Sequence, residues 1–187
     1  MTPADALEEL KAGNERFISG KRLPRDFSSE IGEAADGQFP FAAILGCIDS
    51  RATAEQLFDQ GVGDLFNARI AGNIVNEDIL GSLEYACRVV GARLILVLGH
   101  TNCGAVTAAA QRVELGNITA LLSKITPVLD SLDAEVTIDE AAEHNVQHSI
   151  ERIRKESTIL RDMELEGEIL IKGAMYDVAT GKARFLD

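Results

Sequence analysis

Two short segments of the chain carry side chains that could bind a metal ion. Cys47, Asp49 and Arg51 alternate in the segment GCIDSR, and His100 and Cys103 lie in the segment GHTNCG. Two thiolates and one imidazole form a borderline-soft ligand set that suits zinc. Three protein ligands leave the fourth tetrahedral position open, which is the arrangement of a catalytic zinc site. The two segments therefore predict such a site, provided that the fold brings them together.

Neither segment is sufficient evidence alone, because a cysteine at the end of a strand is most often a small buried residue. The charged residues after Cys47 favour the metal site. An uncompensated charge beside an apolar strand is costly, so Asp49 and Arg51 need partners. They can pair with each other, and this pairing would leave the Asp49 carboxylate ionised and facing the metal.

Apolar runs predict the strands that must position these residues. FPFAAILGC, DLFNARIAG and RLILVLG predict three strands, the first ending at Cys47 and the third leading into His100. EILIKGAMYDV and GKARFL predict a last strand and a short hairpin return. Because strands that alternate with helices form parallel sheets, we expect an α/β fold with about four parallel strands, a short antiparallel edge strand and flanking helices. Ligands of such sheets bind beyond the carboxyl ends of the strands.

Helical patterns precede and separate the predicted strands. We expect a helix over residues 3–19 and then a polar arm, SGKRLPRDFSSE, so that residues 1–35 form an N-terminal helix and arm. Thr53 and Gln56 have the spacing of a capping box and predict a short helix there. Further helices are predicted over residues 76–91, after Cys103, and over residues 117–133 and 139–164. Residues 1–187 are expected to form a single domain.

The composition bounds the partners and the location. Thirty acidic and 18 basic residues give a net charge of −12. Such a surface repels phosphate backbones and anionic lipid, so no binding to nucleic acid or membranes is expected. The acidic N-terminus lacks the pattern of a signal peptide, which predicts a cytoplasmic protein. Three cysteines are an odd number and do not indicate a disulfide framework; Cys87 is interpreted as a buried core thiol.

GCIDSR followed by GHTNCG resembles the two zinc motifs of the β-class carbonic anhydrases. FDQGVGDLFNARIAGN, LGSLEYA and GAMYDVATG resemble further segments of that family, over roughly residues 36–187. The resemblance implies that Cys47, His100 and Cys103 bind one zinc ion per chain. It implies a lyase that interconverts carbon dioxide and bicarbonate through attack by zinc-bound hydroxide. Asp49 would accept a hydrogen bond from the zinc-bound water and Arg51 would orient Asp49. In a closed form of the family, the aspartate is the fourth zinc ligand.

The resemblance also implies a substrate pocket and an oligomer. Gln38 matches the family glutamine that hydrogen-bonds substrate; its alternative is a solvated turn residue. Phe66 and Tyr85 match residues that line an apolar pocket, often across a dimer interface, although core packing would explain Phe66 nearly as well. Gly104 would let the backbone approach the substrate. A homodimer or tetramer with pockets at the dimer interface is expected.

Arg69 and Tyr85 match two of the three residues that form a non-catalytic bicarbonate pocket in one branch of the family. The third is a tryptophan just before the first motif, and Ile44 stands at that place here. This departure argues against an inhibitory bicarbonate site in this chain.

Two other functions fit the same residues. A sister hydrolase of carbon disulfide or carbonyl sulfide could use the same metal centre, and a non-catalytic zinc or redox-sensing protein could use the thiols. Asp49 and Arg51 argue against the second, because a structural zinc site needs neither. His144 and His148 have the i, i+4 spacing of a zinc protease, but Asn145 replaces the required glutamate. These histidines are interpreted as part of a solvated acidic helix.

Overall fold

The computed structural model describes residues 1–133 and 135–186. At its centre is a five-stranded sheet of β1 (Ala42–Gly46), β2 (Leu65–Arg69), β3 (Leu94–His100), β4 (Leu170–Tyr176) and β5 (Ala183–Phe185). The strand order is β2-β1-β3-β4-β5. The first four strands are mutually parallel, and β5 pairs antiparallel with β4 at one edge. The predicted α/β fold, with four parallel strands and a short antiparallel edge strand, is confirmed.

The central strands are apolar because both of their faces are covered. Every residue of β1 and β3 is buried, as expected of parallel strands between two helical layers. Alternate side chains enter separate clusters: Leu45 and Val97 pack on the face that also contacts α8, and Ile44 and Leu96 pack on the opposite face with Leu10 of the first helix. The same burial holds the carboxyl ends of β1 and β3 side by side.

Helices cover both faces of the sheet. They are α1 (Pro3–Ile18), α2 (Phe27–Ala34), α3 (Ala54–Leu57), a 3-10 turn (Ala71–Asn73), α4 (Glu77–Glu84) with a π-helical continuation (Tyr85–Val90), α5 (Gly104–Ala110), α6 (Gly116–Leu122), α7 (Thr126–Asp130), α8 (Ile138–Glu156) and α9 (Thr158–Leu165). Capping boxes at Thr2 and Thr137 begin the two longest, α1 and α8. Within the described residues, no helix combines the length and apolarity needed to cross a membrane.

Three expectations about helices are corrected. The arm contains a helix, α2, which begins where Asp26 accepts hydrogen bonds from the backbone of Ser28 and Ser29. The Thr53 side chain makes no cap hydrogen bond, and α3 is only 4 residues long. The helices predicted over residues 117–133 and 139–164 are each divided in two. The second is divided at Ser157, whose hydroxyl accepts from Leu160 and starts a new helix.

Candidate metal centre

The predicted ligands meet at the carboxyl ends of two neighbouring strands. Cys47 follows β1, His100 ends β3, and Cys103 immediately precedes α5. One potential ligand atom from each of the three residues lies within 4.8 Å of the other two. All three side chains are buried, with exposed fractions of 6% for Cys47 and 1% each for His100 and Cys103. The structure therefore forms the predicted cluster of two sulfurs and one nitrogen.

The histidine presents one nitrogen for binding. Its Nδ1 lies 2.9 Å from the carbonyl oxygen of Thr101, and a carbonyl only accepts, so Nδ1 carries the hydrogen. Its Nε2 is buried and has no hydrogen-bond partner among the described residues. A buried polar atom without a partner is uncommon. The lone pair of Nε2, together with the two sulfurs, fits a zinc ion.

The pKa values of the two thiols shift in opposite directions. Hydrogen bonding with Cys103 lowers the pKa of Cys47 against the opposing effect of burial, and His100 and the backbone N–H of Gly72 contribute in the same direction. The Cys47 thiolate and burial together raise the pKa of Cys103. The backbone N–H of Gly72 lies 3.3 Å from the Cys47 sulfur, and such a hydrogen bond favours the thiolate form.

Asp49 and Arg51 form the predicted pair. The Arg51 side chain donates from Nε to Oδ1 at 3.0 Å and from Nη2 to Oδ2 at 2.8 Å, and its backbone N–H donates to Oδ1 at 2.9 Å. These hydrogen bonds hold the pKa of Asp49 well below its usual range despite partial burial. Oδ2 is also 4.0 Å from His100 Nδ1. The carboxylate is therefore ionised, faces Arg51, and lies beside the ligand cluster.

Arg69, at the end of β2, holds the backbone of the same loop. Its Nε donates to the carbonyl of Cys47 at 2.9 Å and its Nη2 to the carbonyl of Asp49 at 2.5 Å. Ile44, at the place of the family tryptophan, is buried in the core with 1% exposure. The hydrogen bonds of Arg69 in the described chain thus go to the metal loop.

The residues predicted to bind substrate lie in three different places. Gly104 begins α5 directly after Cys103. Phe66 and Tyr85 line a groove of about 530 Å³ between β2 and α4. Gln38 precedes β1 and Cys47 follows it, so Gln38 lies at the opposite, amino-terminal end of the strands, in a separate groove. Within one chain only Gly104 is adjacent to the ligand cluster, and the substrate-binding roles of all four residues stay predictions.

Sequence reasoning missed two buried polar residues on α8, Asn145 and Ser149. Both hydrogen-bond to the backbone of the 3-10 turn beside Cys47. Their only sequence signal is their polarity on a helix face that otherwise carries residues such as Val146 and Ile150. The neighbouring His144 and His148 belong to no metal-binding group within the described part of the chain. Cys87 is buried, and burial raises its pKa to about 12, as expected of a core thiol.

Comparisons with known proteins agree with the cluster. The family model described as carbonic anhydrase matches residues 42–183. Carbonic anhydrase 2 of Mycobacterium tuberculosis is 35% identical over 193 residues, an alignment that covers 99% of this chain and 93% of that protein. The Coccomyxa β-carbonic anhydrase, solved in complex with acetazolamide, has a TM-score of 0.73 and 28% identity, with 85% of this chain and 77% of that chain covered. The chain belongs to the β-class carbonic anhydrases.

The fold of the β-class carbonic anhydrases is also found at lower identity. Two enzymes of this class from the ascomycete Sordaria macrospora, described as tetrameric, are represented by a structure with a TM-score of 0.76 and 24% identity; 83% of this chain and 85% of that chain are covered. This likeness concerns the fold. The resemblance drawn from GCIDSR and GHTNCG is confirmed, and with it the assignment to the carbonic anhydrase enzymes.

Proposed function

We propose that the protein catalyses the reversible hydration of carbon dioxide to bicarbonate and a proton at a zinc ion held by Cys47, His100 and Cys103. The observation that carries the proposal is the buried cluster of three ligand atoms within 4.8 Å of one another, in a chain of the carbonic anhydrase family. Zinc bound there would supply the Lewis acid that makes water nucleophilic near neutral pH.

Asp49 is the group that would handle the proton. An ionised carboxylate has about four lone-pair sites and donates nothing. Oδ1 accepts two hydrogen bonds from Arg51 and Oδ2 accepts one, so Oδ2 keeps a lone pair for water. Oδ2 is also the oxygen nearest to His100. Arg51 holds the carboxylate charged and turned so that this oxygen serves as the acceptor.

A homodimer or tetramer would complete the site. Gln38, Phe66 and Tyr85 lie away from the ligands of their own chain, and parts of both grooves are exposed and apolar. Tyr85 is 55% exposed and Phe39, beside Gln38, is 91% exposed. In our proposal these surfaces face a second copy and bring the three residues to its metal centre.

Zinc content and stopped-flow hydration of carbon dioxide test the proposal. We expect the wild type to bind one zinc per chain and to be active, and Cys103→Ser to lose both properties. Asp49→Asn should keep its zinc and lose about 100-fold or more in kcat, the usual contribution of a positioned proton acceptor. Cys87→Ala, which removes a buried thiol outside the cluster, is the matched control and should keep both zinc and activity.

Zinc bound to the wild type without hydration of carbon dioxide would overturn the proposal. Carbon disulfide and carbonyl sulfide would then be the next substrates to test on the same preparation. Inactivity towards all three would favour a zinc-binding protein without catalysis.

A further inference from the structure

Helix α8 carries two neutral polar side chains inside the core. Asn145 is 1% exposed and Ser149 is 2% exposed, and they lie one helical turn apart on the face that packs against the sheet. Asn145 Nδ2 donates to the carbonyl of Gly72 at 2.7 Å, and Ser149 Oγ donates to the carbonyl of Asn73 at 3.0 Å. The two side chains therefore bind two consecutive carbonyls of a single turn, one carbonyl each.

This turn has an unusual backbone. Gly72 has a φ of 68°, and Asn73 has a φ of 43°, in the left-handed region that residues other than glycine rarely adopt. A Cβ at Gly72 would lie 2.6 Å from Ile125 Cδ1, so the turn also sits against the core without space for a side chain. Contacts from elsewhere in the fold must hold such a turn, and α8 supplies two of them.

The same turn also contacts the metal centre. The backbone N–H of Gly72 donates to Cys47 Sγ at 3.3 Å, and Arg69, three residues earlier, holds the carbonyls of Cys47 and Asp49. A hydrogen bond to a ligand sulfur withdraws charge from it and fixes its direction, which tunes the bond to the metal. Asn145 binds the carbonyl of Gly72, the residue whose own N–H reaches Cys47, and Ser149 binds the next carbonyl along the chain.

We propose that Asn145 and Ser149 are positioning residues of the metal centre, which act on Cys47 through the turn of Gly72 and Asn73. The inference rests on the proposed zinc site. Neither side chain is charged, so neither changes the net charge around the cluster. Their effect is geometric: they set the direction and length of the N–H···S hydrogen bond, and thereby the strength of the sulfur as a ligand.

The test uses metal-binding measurements rather than activity. Asn145→Leu keeps the approximate volume of the side chain and removes its donor, and Ser149→Ala removes one hydroxyl. For each variant we would measure the thiolate-to-cobalt charge-transfer band of the cobalt-substituted protein and the rate of zinc release to a chelator. Gln147→Ala, which removes an amide from the same helix away from the turn, is the matched control. Circular dichroism and thermal unfolding would report folding.

We expect both variants to bind one metal per chain, to shift the charge-transfer band, and to release zinc about 10-fold faster or more, the usual effect of altering an outer hydrogen-bond partner of a metal ligand. Gln147→Ala should match the wild type. A lowered unfolding temperature with an unchanged band and release rate would overturn the inference and leave a purely structural role. If Asn145→Leu does not fold, Ser149→Ala decides.

The outcomes separate this inference from the proposed function. A wild type that binds metal but does not hydrate carbon dioxide would refute the function and leave the inference standing if the band shifts. Full hydration activity with no change in the band or release rate would refute the inference alone. A wild type that binds neither zinc nor cobalt would refute both.

Discussion

Replacing Asn14 with alanine should weaken the attachment of the N-terminal helix α1 to the rest of the chain and lower the free energy of unfolding. Asn14 lies on the inner face of α1 and is 2% exposed. Its Nδ2 donates to the carbonyls of Leu57 and Gly181, each at 3.0 Å, and its Oδ1 accepts from the N–H of Ala183 at 2.8 Å. One side chain therefore joins α1 to the end of α3 and to the hairpin before β5.

The expected loss of stability follows from these three hydrogen bonds. Each buried hydrogen bond contributes about 0.5–1.5 kcal/mol net, and a buried partner left unpaired costs more. We therefore expect Asn14→Ala to lose about 3–4 kcal/mol of the free energy of unfolding, a large part of the 5–15 kcal/mol that is usual for a domain. With an m-value of about 2 kcal/mol per M of urea, the midpoint should fall by roughly 1.5–2 M.

Urea unfolding followed by far-UV circular dichroism measures this loss, at one fixed protein concentration and with zinc present in excess. Glu15→Ala, an exposed neighbour on the same helix, is the control and should change the free energy of unfolding by no more than about 0.5 kcal/mol. A loss below about 1 kcal/mol for Asn14→Ala would refute the reasoning. It would show that the three hydrogen bonds of Asn14 do not anchor α1 to the rest of the chain.

Three further changes test other parts of the structure. Asp59 keeps a lowered pKa because its hydrogen bond from Arg16 and nearby positive charge outweigh the effect of burial. Its contribution to stability is complete above the unfolded-state pKa near 4 and is lost as the pH falls through the lower folded value. Asp59→Asn should therefore unfold about 2–4 °C below the wild type at pH 7, the shift usual for a loss of about 1 kcal/mol in a chain of this size, and converge with it below pH 4. Gly99→Ala would place a Cβ 2.5 Å from Val146 Cγ2 and should cost about 1–3 kcal/mol in urea unfolding; an unchanged midpoint would contradict this. Arg69→Met should speed zinc release to a chelator about 10-fold, because the carbonyls of Cys47 and Asp49 lose their donor. An unchanged release rate would show that this loop keeps its conformation without Arg69.

The strands and the metal ligands could be predicted because their signals are local. β1 and β3 are buried along their whole length, so they appear in the sequence as unbroken apolar runs. In a parallel sheet, residues that follow such runs lie at the same end of the sheet, and the pairing of β1 with β3 then brings Cys47 to His100. Cys103 follows His100 closely enough to need no further assumption.

The rest of the site could not be predicted because its contacts are made by distant backbone groups. Asn145, Ser149 and Arg69 all donate to carbonyls, and every residue type has a carbonyl, so the sequence does not show which one is the partner. The missed helix α2 has no buried residue, and the i, i+4 spacing of its Phe27 and Ile31 extends over only two turns. Its other local signal was the Asp26 cap. The break at Ser157 depends in part on a distant contact, because the hydroxyl that accepts from Leu160 also donates to Glu84 of α4.

The strand order β2-β1-β3-β4-β5 has a consequence for the order of folding events. From β1 the chain moves outward to β2, and from β3 it moves outward in the other direction to β4. Cys47 belongs to the first half of the chain, whereas His100 and Cys103 belong to the second. Neither half holds the full set of ligands, so tight metal uptake has to wait until β1 and β3 have paired. If the protein binds zinc as proposed, a newly made chain would acquire it only after β1 and β3 have paired, and metal occupancy would report how many molecules have reached that stage.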